Sequence, residues 1–231
     1  MMKTLKFLLL ATSVFYLTAC SLDDENKHET YTLSFGNVSN ANTSAGTFLL
    51  TLDDGTRLYT KETGEDYVVP PANGTRIFAT YVLLNEVSSD VYDYNMKIKA
   101  LTTVLIDSIL TVDTIIKDSI GNNRWGKVLM YAGADYLNIV SAFYASEGSY
   151  THKFYLVKDT IKHNDNKVYL DLLYSNGGDN NGTISAEGVI SFDLSSLKSE
   201  YPDSVNLVIN TYQESPTTPE TYPFTYKWKQ Q

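Results

Sequence analysis

Beyond Tyr31 the chain almost nowhere spaces its apolar residues three or four apart over a helix-length window. They alternate, or come in short runs cut by turn residues, and that pattern admits little except β-structure. Tyr31, Leu33 and Phe35 alternate with Thr32 and Ser34 until Gly36-Asn37 interrupts the run. Residues 47–52 and 56–59 flank Asp53-Asp54-Gly55. An Asp-Gly pair between two such runs predicts a hairpin, because both residues tolerate positive φ. Pro70-Pro71 and Asn73-Gly74 mark a loop before residues 75–85, a mostly buried strand through Ile77, Ala79, Tyr81 and Leu83. A further long strand is expected over 92–107. The even positions Val104, Ile106, Leu110, Val112 and Ile116 then keep an apolar face, while Asp107, Thr111, Asp113 and Lys117 look outward.

Gly121-Asn122-Asn123 breaks this pattern and is the expected boundary between two domains. After it, strands are expected at 136–144, 151–157, 167–174, 188–192, 204–212 and 221–228, with loops at the spacing of a sandwich or barrel. Residues 194–200 carry the one helical turn. Eighteen tyrosines against nine phenylalanines and two tryptophans favour half-buried strand rings with a hydroxyl at the wet end.

The first residues obey other rules. Lys3 and Lys6 precede an apolar run over 7–17, which ends at Leu17-Thr18-Ala19-Cys20. A charged start, a short apolar stretch and a small-residue cleavage site make a secretory signal, and the run is too short to span a bilayer as a helix. Leu-Thr-Ala-Cys resembles the bacterial lipobox, which implies that Cys20 is acylated and becomes the new amino terminus. Cys20 is the only cysteine, so no intrachain disulfide can form and stability must come from the core. The following Ser21-Leu22-Asp23-Asp24-Glu25 resembles the serine-plus-acidic signal that carries Bacteroidota lipoproteins to the outer face of the outer membrane. As plain chemistry it is a solvated acidic tether.

Cleavage removes two lysines and no acid, so the net charge of −9 becomes −11. Such a surface repels nucleic acid and anionic lipid. The expected partners are the membrane, reached through the lipid anchor, and an envelope protein or glycan.

Phe48-Leu49-Leu50-Thr51-Leu52-Asp53-Asp54-Gly55-Thr56-Arg57-Leu58-Tyr59, Gly74-Thr75-Arg76-Ile77 and Tyr92-Asp93-Tyr94 resemble the N-terminal domain of NigD-like lipoproteins of the Bacteroidota. In the second half Asp135-Tyr136-Leu137-Asn138-Ile139, Leu156-Val157-Lys158-Asp159 and Val189-Ile190-Ser191-Phe192-Asp193-Leu194-Ser195-Ser196-Leu197 continue the likeness. The resemblance implies an all-β chain: an OB-like β-barrel followed by an immunoglobulin-like β-sandwich. The expected layout is a signal peptide over 1–19, an acylated tether over 20–29, the barrel over 30–120 and the sandwich over 121–231. It implies no reaction. An OB-like barrel suggests oligonucleotides, but fold does not fix function and the charge opposes that reading. The family name, taken from a bacteriocin locus, suggests a second role in self-protection against a toxin.

Catalysis needs a nucleophile beside a base, a metal cluster or paired carboxylates in a cleft. The sequence nominates no catalytic residue, no metal ligands and no cofactor: it has three histidines, His28, His152 and His163, and no metalloprotease, serine-hydrolase or phosphate-loop motif. Asp53-Asp54 is read as turn chemistry. Gly177-Gly178-Asp179-Asn180-Asn181-Gly182 is oxygen-rich like a calcium loop but lacks EF-hand spacing, so it is expected to be a hairpin tip. A shallow aromatic glycan site using Trp125 or Trp228 is conceivable, though core anchoring is the commoner role of such residues.

Five triplets resemble the Asp-Ser/Thr-aliphatic sequon of O-glycosylation in exported Bacteroidota proteins, where roughly 1.4 are expected by chance from this composition. They make Ser108, Thr114, Ser119, Thr160 and Ser204 candidate glycan acceptors. Strand phase argues against Ser108 and Thr114, because it puts them on the apolar face.

Overall fold

A computed structural model describes residues 30–63, 69–87, 89–111, 120–126, 128–147, 150–159, 165–213 and 217–228. Residues 1–29, over which the signal peptide and tether are expected, lie outside these residues. The first five strands are β1 (Thr32–Asn42), β2 (Thr47–Leu52), β3 (Arg57–Thr63), β4 (Arg76–Glu86) and β5 (Tyr94–Thr103). They close into a barrel in the order β1-β2-β3-β5-β4. Closure depends on β1 serving two neighbours. Its residues 32–37 pair with β4, and its residues 36–42 pair with β2. Gly36 sits where the two pairings overlap: a Cβ there would stand 2.7 Å from Leu50 Cδ1 and from the Thr51 carbonyl oxygen. The glycine expected to end the strand instead lets it bend past its neighbour.

Phe48, Leu50, Leu58, Ile77, Ala79, Met96 and Ile98 fill the barrel with no measurable exposure. The hairpin forms as expected, with Gly55 at φ +98° between β2 and β3. Leu83 departs from expectation and is 45 % exposed. Register shifts between Thr80 and Tyr81 and again between Leu83 and Asn85 insert irregularities into the β4–β5 ladder. A bulge of that kind re-aims the side chains beyond it, so simple alternation fails there.

The strand expected over 92–107 is two strands. β5 ends at Thr103, and β6 (Leu105–Ser108) leaves the barrel to pair in parallel with β11 (Ile184–Asp193). Val104 between them is buried and donates its N–H to the Arg76 carbonyl at 2.9 Å. Leu110 then bridges to β9 (Lys153–Lys158). The passage into the sandwich therefore falls at Val104, upstream of Gly121, where the turn-rich sequence had suggested it. Ile106 is 44 % exposed and belongs to no apolar face. Val112 and Ile116 lie outside the described residues.

The remaining strands are β7 (Val128–Gly133), β8 (Tyr136–Ala145), β10 (Val168–Ser175), β12 (Ser204–Thr211) and β13 (Glu220–Lys227). Two four-stranded sheets result, ordered β6-β11-β8-β7 and β13-β12-β10-β9. Leu137, Ile139, Leu156, Leu170, Leu172, Phe192 and Ile209 pack between them as a dry core. The helical turn is a short 3-10 segment, Ser195–Leu197, that buries Leu197. β7 had no sequence expectation.

The two domains meet around one buried cation. Arg76 opens β4 with its guanidinium fully enclosed. Its Nη2 donates to both Asp53 carboxylate oxygens, at 3.0 and 2.8 Å, and to Asn138 Oδ1 at 2.7 Å. Its Nε donates to Ser191 Oγ at 2.8 Å, and its Nη1 to Asn37 Oδ1 at 3.3 Å. The Tyr136 ring covers the guanidinium at 4.1 Å. Asn138 Nδ2 returns a bond to Asp53 Oδ2 at 2.7 Å, and Ser191 donates to Asn138 Oδ1 at 2.7 Å. Asp53, Asn37 and Arg76 come from the barrel; Asn138, Ser191 and Tyr136 come from the sandwich. Gly133 lets the surfaces close, because a Cβ there would lie 2.8 Å from Asp53 Cβ.

Removing one partner of a buried ion pair strands the other charge and costs about 3–5 kcal/mol, whereas replacing both by apolar groups is often neutral. Asp53→Ala should therefore lower the unfolding free energy by about that amount and separate the urea transition into two. The double variant Arg76→Met/Asp53→Leu should recover most of the loss. Denaturation followed by far-ultraviolet circular dichroism measures both, and an Asp53→Ala protein as stable as the parent would refute the lock.

Candidate functional site: a cavity at the rim of the sandwich

The segment expected to be a hairpin tip is a crossing between sheets. β10 pairs with β9 and β12, and β11 pairs with β8 and β6, so the loop over 176–183 carries the chain from one sheet to the other. Asn176 organises it. Its Oδ1 accepts the Gly178 N–H at 3.1 Å, its Nδ2 donates to the Asp179 carbonyl at 2.6 Å, and its own N–H reaches Asn123 Oδ1 at 3.1 Å. Gly177 takes φ +62° against the Thr151 backbone, where any side chain would collide. Gly182 lies just as close to the Tyr144 carbonyl, and Thr183 donates to Ala145 at 3.0 Å. Among the described residues no three His, Cys, Asp or Glu side chains are arranged to hold a metal.

A polar row braces this rim from beneath. Tyr174 Oη lies 2.6 Å from His152 Nδ1, and His152 Nε2 lies 3.3 Å from Asp179 Oδ2. Burial, with the Asp179 charge adding to it, pushes the Tyr174 phenol up to about 12. The phenol therefore stays protonated beside Nδ1, and the imidazole links it to the carboxylate. Asp179 also accepts the Ser146 N–H and Oγ–H, each at 2.6 Å. The Ser146 hydroxyl first, then the N–H groups of Ser146 and Asn181 and the nearby His152, hold its carboxyl below the ordinary range. Phe143 stacks on the imidazole with ring centres 4.8 Å apart. Hydroxyl, imidazole and carboxylate in a row resemble a catalytic relay. Here the hydroxyl beside the imidazole is a phenol that burial keeps protonated, and Ser146 bonds the carboxylate instead of the imidazole, which differs from the serine–imidazole contact of such a relay.

Above the row opens a shallow cavity of about 220 Å³. Tyr174, Asn176 and Asp179 form its floor, and Asn123, Arg124, Tyr144, Asn180 and Gly182 form its rim. Tyr144, on β8, is 68 % exposed. Arg124 is exposed, and no carboxylate among the described residues pairs with it. The tryptophans are not in the cavity. Trp125 is buried edge-on against Phe154 at 5.0 Å, and Trp228 is buried with its Nε1 donating to the Tyr201 carbonyl at 2.5 Å.

Of the residues that the sequence singled out, Cys20, His28, Thr114, Ser119, Thr160 and His163 lie outside the described residues. Ser108 is exposed at the end of β6, its N–H bonded to Asp107 Oδ1 at 2.9 Å. The break between β5 and β6 at Val104 ends the strand phase that would have put this serine on the apolar face. Ser204 is half-buried opposite Lys227. Asp54 caps the expected turn through the Thr56 N–H at 2.8 Å, whereas Asp53, read with it as turn chemistry, serves the interdomain lock. Arg124, Tyr144 and the bonding of His152 carried no signal in the sequence, because their neighbours come from distant strands.

A family model described as the NigD-like N-terminal OB domain matches residues 35–104, and one described as the NigD-like C-terminal beta sandwich domain matches residues 108–226. No curated protein matches the chain. Among solved structures, a protein of unknown function from Bacteroides vulgatus is similar at 24% identity and TM-score 0.67, over 86% of this chain and 92% of that one. A NigD-like immunity protein from Bacteroides caccae is similar at 18% identity and TM-score 0.61, over 88% and 99%. A candidate lipoprotein from Bacteroides fragilis is similar at 15% identity and TM-score 0.53, over 86% and 98%. At these identities the likeness speaks for the fold.

The depressed Asp179 carboxyl sets a pH dependence. Its contribution to stability is complete above the unfolded carboxyl value near ~3.9 and is lost as pH falls through the lower folded value. Asp179→Asn should melt below the parent at about pH 6, and the gap should narrow by about pH 3. Thermal melts at the two pH values measure this, and a constant gap would show that the carboxylate's charge is not what the rim uses.

Proposed function

The chain belongs to the NigD-like family, an OB domain followed by a β-sandwich, and from that premise we propose that it is a non-catalytic binding module of the cell envelope. Cys20 carries its acyl anchor at the outer membrane, the body faces the exterior, and the rim cavity engages an envelope protein or glycan. The observation that carries this reading is Arg124, which pairs with no carboxylate among the described residues and lines the same cavity as the exposed Tyr144 ring. Spare cation and exposed aromatic together are what binding surfaces concentrate, and neither stabilises the free fold. Two acyl chains hold a protein to a bilayer where one does not, so the lipobox-like Leu17 to Cys20 segment supplies a firm tether. Among the described residues no helix is long and apolar enough to cross a membrane. The net charge leaves nucleic acid a poor partner.

Tagged, acylated protein recovered from native outer membranes should bring down a recurrent partner. Arg124→Ala should lose that partner while staying in the membrane pellet, and Cys20→Ala should leave the pellet. Clean captures, or equal capture by Arg124→Ala, would overturn the cavity's role; a Cys20→Ala protein still in the pellet after its leader is removed would overturn the anchor. A second reading, self-protection against a bacteriocin, draws on the immunity protein among the structural neighbours. Capture of a toxin by the same bait would select it.

Glycosylation of the Asp-Ser/Thr-aliphatic triplets belongs to the same proposal, with exposed Ser108 the acceptor best placed for a bulky sugar. The intact mass of protein from the native host should exceed that of the recombinant form, and Ser108→Ala should remove part of the excess. Equal masses would end the idea.

A further inference from the structure

We infer that the rim cavity is a subsite for one acidic sugar residue, its carboxylate on Arg124 and its ring face on Tyr144. This rests on reading the cavity as the binding site. The chain has three arginines. Arg57 is spent on Asp93 at 3.0 Å and Arg76 on Asp53 at 2.8 Å, while Arg124 lines the cavity with no acid partner among the described residues. In a protein with so large an excess of acid, an arginine that no carboxylate has claimed is available to a carboxylate from outside. The planar guanidinium fork suits that group bidentately.

The rest of the rim points to the same chemistry. Asn123 Oδ1 is occupied by the Asn176 N–H, and Asn180 Oδ1 accepts from Asn176 Nδ2 at 3.3 Å. Both amides therefore have their carbonyl oxygens turned to the loop, which leaves their NH₂ groups as the available ends. Asp179, the one acid in the lining, directs its oxygens at Ser146 and His152. The cavity thus offers donors to a ligand made of acceptors: a carboxylate and hydroxyl oxygens. The exposed Tyr144 ring supplies an apolar face for the C–H side of a pyranose. At about 220 Å³ the space is below the range of drug-sized pockets, which fits a single ring gripped at the end or branch of a glycan.

An acidic peptide would share the carboxylate, but the usual way to seat an extended peptide beside strands is to extend a sheet edge. β8 and β10, the strands that run into the cavity, are internal to their sheets, with β11 beside Tyr144 and β9 beside Tyr174. On their other sides the ladders with β7 and β12 end at Ser141 and Leu172, so an acidic peptide is included in the titration as the competing ligand.

Calorimetric titration of the full chain in detergent with glucuronate, galacturonate and N-acetylneuraminate tests the proposal, with glucose and an acidic peptide as controls. At least one acidic sugar should bind, glucose should not, and Arg124→Ala and Arg124→Gln should each weaken binding by about tenfold or more, with unchanged melting temperature. Tyr144→Ala should weaken it as well. Absence of binding by all three acidic sugars, binding unaffected by both Arg124 variants, or binding of the acidic peptide alone would overturn it. If the sugars fail while Arg124→Ala still loses its partner from native membranes, the cavity remains the binding site and only the ligand class falls. If both effects are missing, the functional reading falls with it.

Discussion

A guanidinium with no exposure to water must be neutralised and have its donors filled, and that requirement at Arg76 organises much of this molecule. Asp53 supplies the charge, and Asn37, Asn138 and Ser191 accept further bonds from Nη1, Nη2 and Nε. Those partners come from both domains. Asn138 and Ser191 are opposite one another in the β8–β11 ladder, so the cation reads a fixed sheet register in the sandwich. A slip of one residue by either strand would turn its member of the pair to the other face and leave Arg76 short of a partner. The seam is thus specific in a way that an apolar interface of the same size would not be, and its cost is the desolvation of two charges.

Sequence legibility followed the range of the interactions. The Asp54-Gly55 hairpin, the strand alternation through Ile77, Ala79 and Tyr81, and the all-β class are set by residues within a few positions of each other, and they were readable. What depended on a distant partner was not. Gly36 looked like a breaker because its reason, the approach of Leu50, lies in another strand. The run past Tyr92 looked like one strand because nothing local says that Thr103 belongs to the barrel and Leu105 to the sandwich. Asp53 satisfied every expectation of a turn residue, which hid its second duty. The sheet-crossing loop over 176–183 looked like a hairpin tip because glycine and asparagine serve both uses.

The same distinction explains why the candidate site was nearly invisible. Its residues come from the 120–126 segment, the end of β8, the end of β10 and the crossing loop. Among eighteen tyrosines, nothing in the sequence separates Tyr144, 68 % exposed, from Tyr174, 1 % exposed. Arg124 was not open to elimination. The chain has three arginines, and both the Arg57–Asp93 and the Arg76–Asp53 pairs needed the fold.

One strand joins the two features. β8 carries Asn138 at the interdomain lock and Tyr144 at the rim, six residues apart and about 20 Å along the strand. The barrel's first strand begins at Thr32, paired with Tyr81, five residues along β4 from Arg76 or about 16 Å. Thr32 and Tyr144 are thus joined through two domains that meet at Arg76. With that cation bonded to both, the orientation of the rim relative to the barrel's first strand is set by a buried ion pair and its hydrogen bonds instead of a free linker, and becomes a property of the fold.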